Sequence, residues 1–297
     1  MTDLALETIG LQKSFQGRPA LAGLDLRVPC GSIYGFLGRN GAGKTTTMKL
    51  LMGILQPDRG SVSVLGTPLS GPASGVRVRQ RIGFVTEDKE LYPYMTARQI
   101  IQFTRSFFPQ WREDLEGRYQ RLFDLPLGKK IPDLSKGMKS KLMLLLALSR
   151  GAELLILDEP TDGLDPVTVE ALLRELVSLS AAERTTIFFS SHQLHEVEQI
   201  ADHITIVEQG RSVVSGTLDD LKERYRRVNV IFPEIPAKPM VWREGVERIK
   251  QDGRTVSLLT SQNVGALVQQ AQSVPGAMVE VTAVTLKEIF LEHARET

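Results

Sequence analysis

The chain has 297 residues, 42% of them hydrophobic and 24% charged, with a formal net charge of +1. This is an ordinary globular composition, long enough for one large domain or a large domain plus a small one, and it carries no field of the kind that marks a nucleic-acid binder. The single cysteine, Cys30, excludes an internal disulfide framework and fits a reducing compartment.

The first residues, MTDLALETIG, are acidic and lack a basic n-region and an apolar h-region, so no signal peptide is expected. Three strand-like runs follow, LETIGLQKSF, GRPALAGLDLRV and GSIYGFLG. The last ends in a glycine-rich turn and passes into KTTTMKLLMGIL, whose apolar residues have helical spacing. PDRG stops that helix, and SVSVLG resumes a strand.

From Tyr92 to Leu148 the pattern is helical: ARQIIQFTRSFF, REDLEGRYQRLFDL and MKSKLMLLLALSRG. The most apolar run, Leu142 to Leu148, is far short of the roughly 20 residues a spanning helix needs. The chain is therefore read as soluble, with any membrane role exercised through a partner. ELLILDEP is a short apolar run suited to a buried parallel strand. PVTVEALLRELVSLSAAE is an amphipathic helix, TTIFFSS a further buried strand and QLHEVEQIA a further helix. This alternation predicts a parallel sheet with helices packed on it.

Beyond KERYRR, expected to be the solvated end of a helix, the texture changes. VNVIFP, a hairpin VERIKQ-DG-RTVSLLT, VGALVQQAQ, AMVEVTAV and LKEIFLEHA suggest a small α/β module over residues 225–297, with the boundary near Tyr225.

Two motifs carry the chemistry. GRNGAGKTT, Gly38 to Thr46, matches G-x-x-x-x-G-K-[ST] in full, after a strand and at the start of a helix. Gly38, Gly41 and Gly43 let the backbone curl around an anion with its amides pointing inward, and Arg39, Asn40, Ala42 and Thr46 complete the loop. The helix N-terminus adds its positive end. Lys44 reaches the β- and γ-phosphates, and the Thr45 hydroxyl ligates Mg²⁺. In LLILDEP, Asp158 emerges at the carboxyl end of a buried strand, where ligands of open α/β sheets bind. It is placed to hold Mg²⁺ through water, which leaves Glu159 to orient or deprotonate a water.

With these motifs in this order, the stretch from Leu4 to Leu221 resembles the ATP-binding cassette (ABC) family of transporter ATPases. The resemblance implies an α/β P-loop cassette over residues 1–224. It would have a mixed sheet core, an antiparallel β subdomain and a helical subdomain at about residues 88–148, followed by the small C-terminal domain. It makes Gly38 to Thr46 the Walker A loop, LLILDEP the Walker B strand and Glu159 the catalytic glutamate. Phe15 takes the place of the aromatic that stacks on adenine, and His192 that of the switch histidine beside the γ-phosphate. Gly163 to Asp165 resembles the D-loop that crosses to a second subunit. His195, His203 and His293 have no such placement and are read as surface residues.

Two positions depart from the family pattern. Glu87 stands where the family has a glutamine that touches Mg²⁺ and the attacking water. A glutamate still accepts from water and ligates a metal. The signature Leu-Ser-Gly-Gly-Gln reads Leu134-Ser135-Lys136-Gly137-Met138. Ser135 and Gly137 are retained, and in the family they contact ATP held by a second cassette. Met138 loses an amide side chain, and Lys136 adds a charge that either favours phosphate or faces solvent.

The implied cofactors are ATP and Mg²⁺. The implied partners are a second cassette and separately encoded membrane permease subunits, with no nucleic acid, at the cytoplasmic face of a bacterial-type cell membrane. The chain as a whole looks most like cassettes of the multidrug, antibiotic-resistance or ABC-2-type exporter branch, with importer ATPase subunits as the alternative. A single Walker A speaks against a tandem-cassette translation factor. The absence of a heptad run speaks against a DNA-repair or chromosome-structure ATPase.

Overall fold

The computed structural model describes residues 3–86, 90–235, 240–242 and 244–293. The chain divides into two compact units, Met1–Ser215 and Gly216–Thr297. The division falls ahead of Tyr225, and the helix expected to close the first unit belongs to the second.

The first unit opens with β1 (Leu4–Phe15) and β2 (Arg18–Pro29), an antiparallel hairpin. Next come β3 (Ile33–Gly38), α1 (Lys44–Leu51), β4 (Arg59–Val64) and β5 (Thr67–Pro68). Strands β2-β1-β4-β5 form an antiparallel sheet. α2 (Pro72–Arg79), which the sequence reading did not anticipate, leads into β6 (Ile82–Val85). β6 forms because Ile82 and Val85 bury their side chains beside the next parallel strand.

The helical segment holds α3 (Ala97–Arg105), α4 (Glu113–Leu122), a 3₁₀ turn at Ile131–Asp133 and α5 (Lys136–Leu148). A reciprocal capping pair starts α3: Thr96 Oγ1 accepts from the Gln99 amide at 3.2 Å, and Gln99 Oε1 accepts from the Thr96 amide at 2.8 Å. α5 buries Leu142 and every residue from Leu144 to Leu148. Burial on most of its circumference, rather than contact with lipid, explains the apolar run. No helix among the described residues is long and apolar enough to cross a membrane.

β7 (Leu154–Asp158), α6 (Pro166–Glu183), β8 (Thr186–Ser190), α7 (Leu194–Ile200), β9 (His203–Glu208) and β10 (Arg211–Thr217) complete the second sheet. Its order is β10-β9-β3-β8-β7-β6, with β9, β3, β8, β7 and β6 mutually parallel. Every residue of β3, β7 and β8 is buried, as strands covered on both faces require. Phe36 and Phe188 meet at a centroid distance of 5.1 Å in this core, together with Met48 and Leu51 of α1. Phe36 and Asp158 both register with Ser190, so the carboxyl ends of β3, β7 and β8 lie side by side.

The second unit contains α8 (Leu218–Arg224), β11 (Arg226–Ile231), β12 (Val246–Asp252), β13 (Thr255–Thr260), α9 (Val264–Gln272), β14 (Met278–Ala283) and α10 (Leu286–His293). Its antiparallel sheet has the order β12-β13-β11-β14. Val228, Val230, Val256 and Leu258 face Leu267 and Ala271 of α9 in a separate core. KERYRR is more than a solvated helix end: Tyr225 is buried, and Arg227 Nη1 pairs with Glu288 at 2.6 Å. Two histidines read as surface residues also have structural partners. His203 stacks on Tyr34 at 5.9 Å, and His293 Nε2 lies 2.8 Å from the Tyr225 hydroxyl.

Candidate functional site

The loop between β3 and α1 winds over the carboxyl end of the parallel sheet. Gly43, the N-cap of α1, has φ 108°, a conformation open to glycine and strained for other residues. That turn aims the first amides of α1 outward, where they have no intrahelical acceptor. The ammonium of Lys44 lies back along the loop, 2.7 Å from the Gly38 carbonyl and 3.4 Å from that of Arg39. A cleft of about 760 Å³ opens above it, walled by Arg39, Asn40, Gly41, Gly43 to Thr46, Ala20, Asp158, Glu159, Asp162 and His192.

The acidic wall is held by three hydroxyl contacts. The Thr45 hydroxyl donates to Asp158 Oδ2 at 2.9 Å, and the Ser190 hydroxyl donates to Asp158 Oδ1 at 2.6 Å. Ser190 Oγ also accepts the Glu159 amide at 3.0 Å. Glu159 has φ 49°, a left-handed conformation that costs a non-glycine residue of order 1 kcal/mol or more. The hydrogen bond from its amide helps to hold it there. The Glu159 carboxylate then accepts twice from His192, from the backbone amide at 3.1 Å and from ring Nδ1 at 2.7 Å. An ionised carboxylate has no proton to give, so Nδ1 is the donor. Glu159's side chain is 11% exposed and His192's 57%, so the pair reaches from the buried strand ends into the cleft.

The donor set fits Mg²⁺. A hydroxyl and a carboxylate are the hard oxygen ligands this ion takes alongside substrate phosphate oxygens and water. Among the described residues no group of three or more His, Cys, Asp or Glu side chains forms a metal cage by itself. An ion shared with a phosphate substrate needs no such cage. The expected third ligand, Glu87, lies outside the described residues.

Gly38 and Ala42 belong to the loop without walling the cleft, and four further expected site residues sit away from it. Phe15 ends β1 at the tip of the first hairpin, 45% exposed, with Lys13 Nζ 5.8 Å from its ring centre. Ser135 is the N-cap of α5 and accepts the Met138 amide at 3.2 Å. Gly137 packs so closely on Gly163 that an added Cβ would stand 2.6 Å from the Gly163 carbonyl oxygen. Lys136 pairs with Asp162 at 2.8 Å. Asp165 is the N-cap of α6 and accepts from the Thr168 amide at 2.9 Å, the Thr168 hydroxyl at 2.7 Å and Lys141 at 3.1 Å. The Thr168 contacts, with Lys141, hold its carboxyl well below the usual range. Sequence reasoning missed Ser190. The signal available was a hydroxyl at the end of the otherwise apolar strand TTIFFSS.

A glycine loop on a helix N-terminus, facing an acidic strand end across the same cleft, defines a P-loop nucleotide-binding cassette. A profile described as ABC transporter matches residues 21–162, and one described as AAA domain, putative AbiEii toxin, Type IV TA system matches residues 130–198. An uncharacterized ABC transporter ATP-binding protein, YhaQ of Bacillus subtilis, is 33% identical, with 94% of this chain and 95% of that protein covered. A Nod factor export ATP-binding protein I of Burkholderia lata is 35% identical over 69% of this chain and 68% of its own length. A solved ATP-binding subunit of an ABC transporter is 31% identical and superposes with a TM-score of 0.67, covering 74% of this chain and 92% of that one. The chain belongs to the ABC transporter ATP-binding protein family.

Proposed function

We propose that this chain hydrolyses ATP within a dimer of cassettes and thereby drives export through separate membrane permease subunits. The observation that carries the reading is the Glu159 carboxylate, held by His192 in the wall of the cleft that also contains Lys44.

The Gly38–Thr46 loop binds the triphosphate through its amides, and Lys44 turns from the loop carbonyls toward the β- and γ-phosphates. Thr45 and Asp158 would hold Mg²⁺, which supplies neutralisation of phosphate charge when bound. Glu159 accepts the proton of the attacking water, and the His192 contact fixes the direction in which that carboxylate points. Phe15 offers an exposed ring to the adenine base. Glu87 would add a carboxylate for the metal and the attacking water.

Ser135 and Gly137 stand at the N-terminus of α5, where free amides favour phosphate, yet neither lines the chain's own cleft. That separation supports ATP shared between Ser135/Gly137 of one cassette and the Walker A loop of the other, with the D-loop around Asp165 crossing between them. ATP then favours the closed dimer because it supplies contacts available only there.

Docking on a permease falls to the helical segment. Tyr92, Tyr94, Phe103 and Phe107 are all exposed, and adjacent rings lie 5.0 to 5.8 Å apart. An exposed aromatic cluster of this kind marks an interaction surface. It would place the chain at the cytoplasmic face of a membrane. Export is favoured by similarity to the Nod factor export protein.

The test is Glu159→Gln with ATP and Mg²⁺. The expected result is a fall in turnover of more than about 100-fold, with an ATP-dependent dimer by light scattering. Normal hydrolysis with no dimer refutes the mechanism.

A further inference from the structure

We infer that Glu196 is a positioning residue for hydrolysis, a buried carboxylate that ties the segment after Glu159 to the segment before His192. The inference rests on the functional reading above, in which Glu159 and His192 work as a pair.

Glu196 lies in α7 and is 3% exposed. Its Oε2 accepts two hydrogen bonds at 2.9 Å, one from the Thr161 hydroxyl and one from the Ser191 hydroxyl. Thr161 and Ser191 are themselves 5% and 2% exposed, so water does not substitute for either contact. An ionised carboxylate only accepts, so both hydroxyl protons point at Glu196. That leaves a Ser191 lone pair for the Gln193 amide, which donates to it at 3.0 Å.

The placement adds a link between the two loops behind the Glu159–His192 contact. Thr161 follows Glu159 by two residues, in a turn closed by the Asp162 amide on the Glu159 carbonyl at 3.2 Å and the Leu164 amide on the Thr161 carbonyl at 3.1 Å. Ser191 immediately precedes His192. Front contact (Glu159 with His192) and rear contact (Thr161 and Ser191 with Glu196) thus brace the same two loops at both ends. A front contact of 2.7 Å tolerates little drift, and a displacement of about 1 Å at a reacting group can cost about 100-fold in rate.

Glu196 is not among the residues that wall the cleft, so its removal should spare nucleotide binding and slow turnover. With the full chain, Glu196→Ala is expected to lower kcat by about 10- to 100-fold. The dissociation constant for a fluorescent ATP analogue should stay within about twofold of wild type, since the loop contacts are untouched. Glu196→Gln keeps a carbonyl oxygen able to accept both hydroxyls and should recover kcat to within about threefold of wild type. Thr161→Val, milder for folding, should lower kcat by about 3- to 10-fold and add nothing on top of Glu196→Ala, because the two act through one contact. An active wild type whose Glu196→Ala variant has unchanged kcat, or additive losses in the double variant, overturns the inference alone. A wild type that neither binds nor hydrolyses ATP overturns the functional reading, and this inference with it.

Discussion

Gly137→Ala tests whether the signature stretch is fitted to the D-loop segment of its own chain. The added methyl carbon would stand 2.6 Å from the Gly163 carbonyl oxygen, where ordinary van der Waals contact begins at 3.4 Å. Neither atom can turn aside, since one is fixed on the α5 backbone and the other is itself backbone. Relief therefore takes a shift of about 0.8 Å between α5 and the 159–165 segment, and overpacking of this size costs about 1 to 3 kcal/mol. For a domain of this length each kcal/mol lowers Tm by about 2 to 4 °C, so the variant should melt about 2 to 12 °C below wild type. The same shift would strain the Lys136–Asp162 pair, which spans the same gap at 2.8 Å. Thermal unfolding by circular dichroism reads the loss directly. A Tm within 1 °C or so of wild type would refute the packing argument.

Three further outcomes follow from the site and the second unit. Ser190→Ala leaves Asp158 Oδ1 and the strained Glu159 amide without their shared hydroxyl, so stability in urea should fall by about 1 to 3 kcal/mol, with a parallel loss of turnover. Lys44→Ala should weaken binding of a fluorescent ATP analogue by about tenfold or more, since it removes the one ammonium among the described residues of the cleft wall. Burial, reinforced by Glu247, pushes the Tyr225 hydroxyl from 10 up to about 12. A raised folded-state value means a contribution fully present below pH 10 and lost as pH rises through about 12. A Tyr225→Phe variant should show a flatter stability profile across that window.

Much of the first unit is legible because each strand and helix states its own environment. LLILD and TIFFS are unbroken apolar runs because both faces of β7 and β8 are covered. Thr96 and Gln99 announce the start of α3, and the Walker A loop carries its glycines at the places where a backbone must wrap an anion. In the second unit VGALVQQAQ coincides with α9, Val264–Gln272, since its apolar spacing matches the face it buries on the sheet. α2 escaped because its apolar residues are few, and β6 because four residues make too short a pattern to separate from a loop.

The sequence by itself determined the family, the phosphate loop and the identities of Asp158, Glu159 and His192, because these residues lie in contiguous motifs whose chemistry is readable in order. Only the tertiary structure decided how that chemistry is braced. Ser190 reaches Asp158, Thr161 and Ser191 converge on Glu196, and Gly137 meets Gly163 across sequence separations of 26 to 35 residues or across a loop. Hydroxyls and glycines of this kind look like ordinary strand ends and helix starts in a sequence. A hydrogen bond or a close approach belongs to two residues at once, and which two is set by the parallel pairing of β3, β8 and β7.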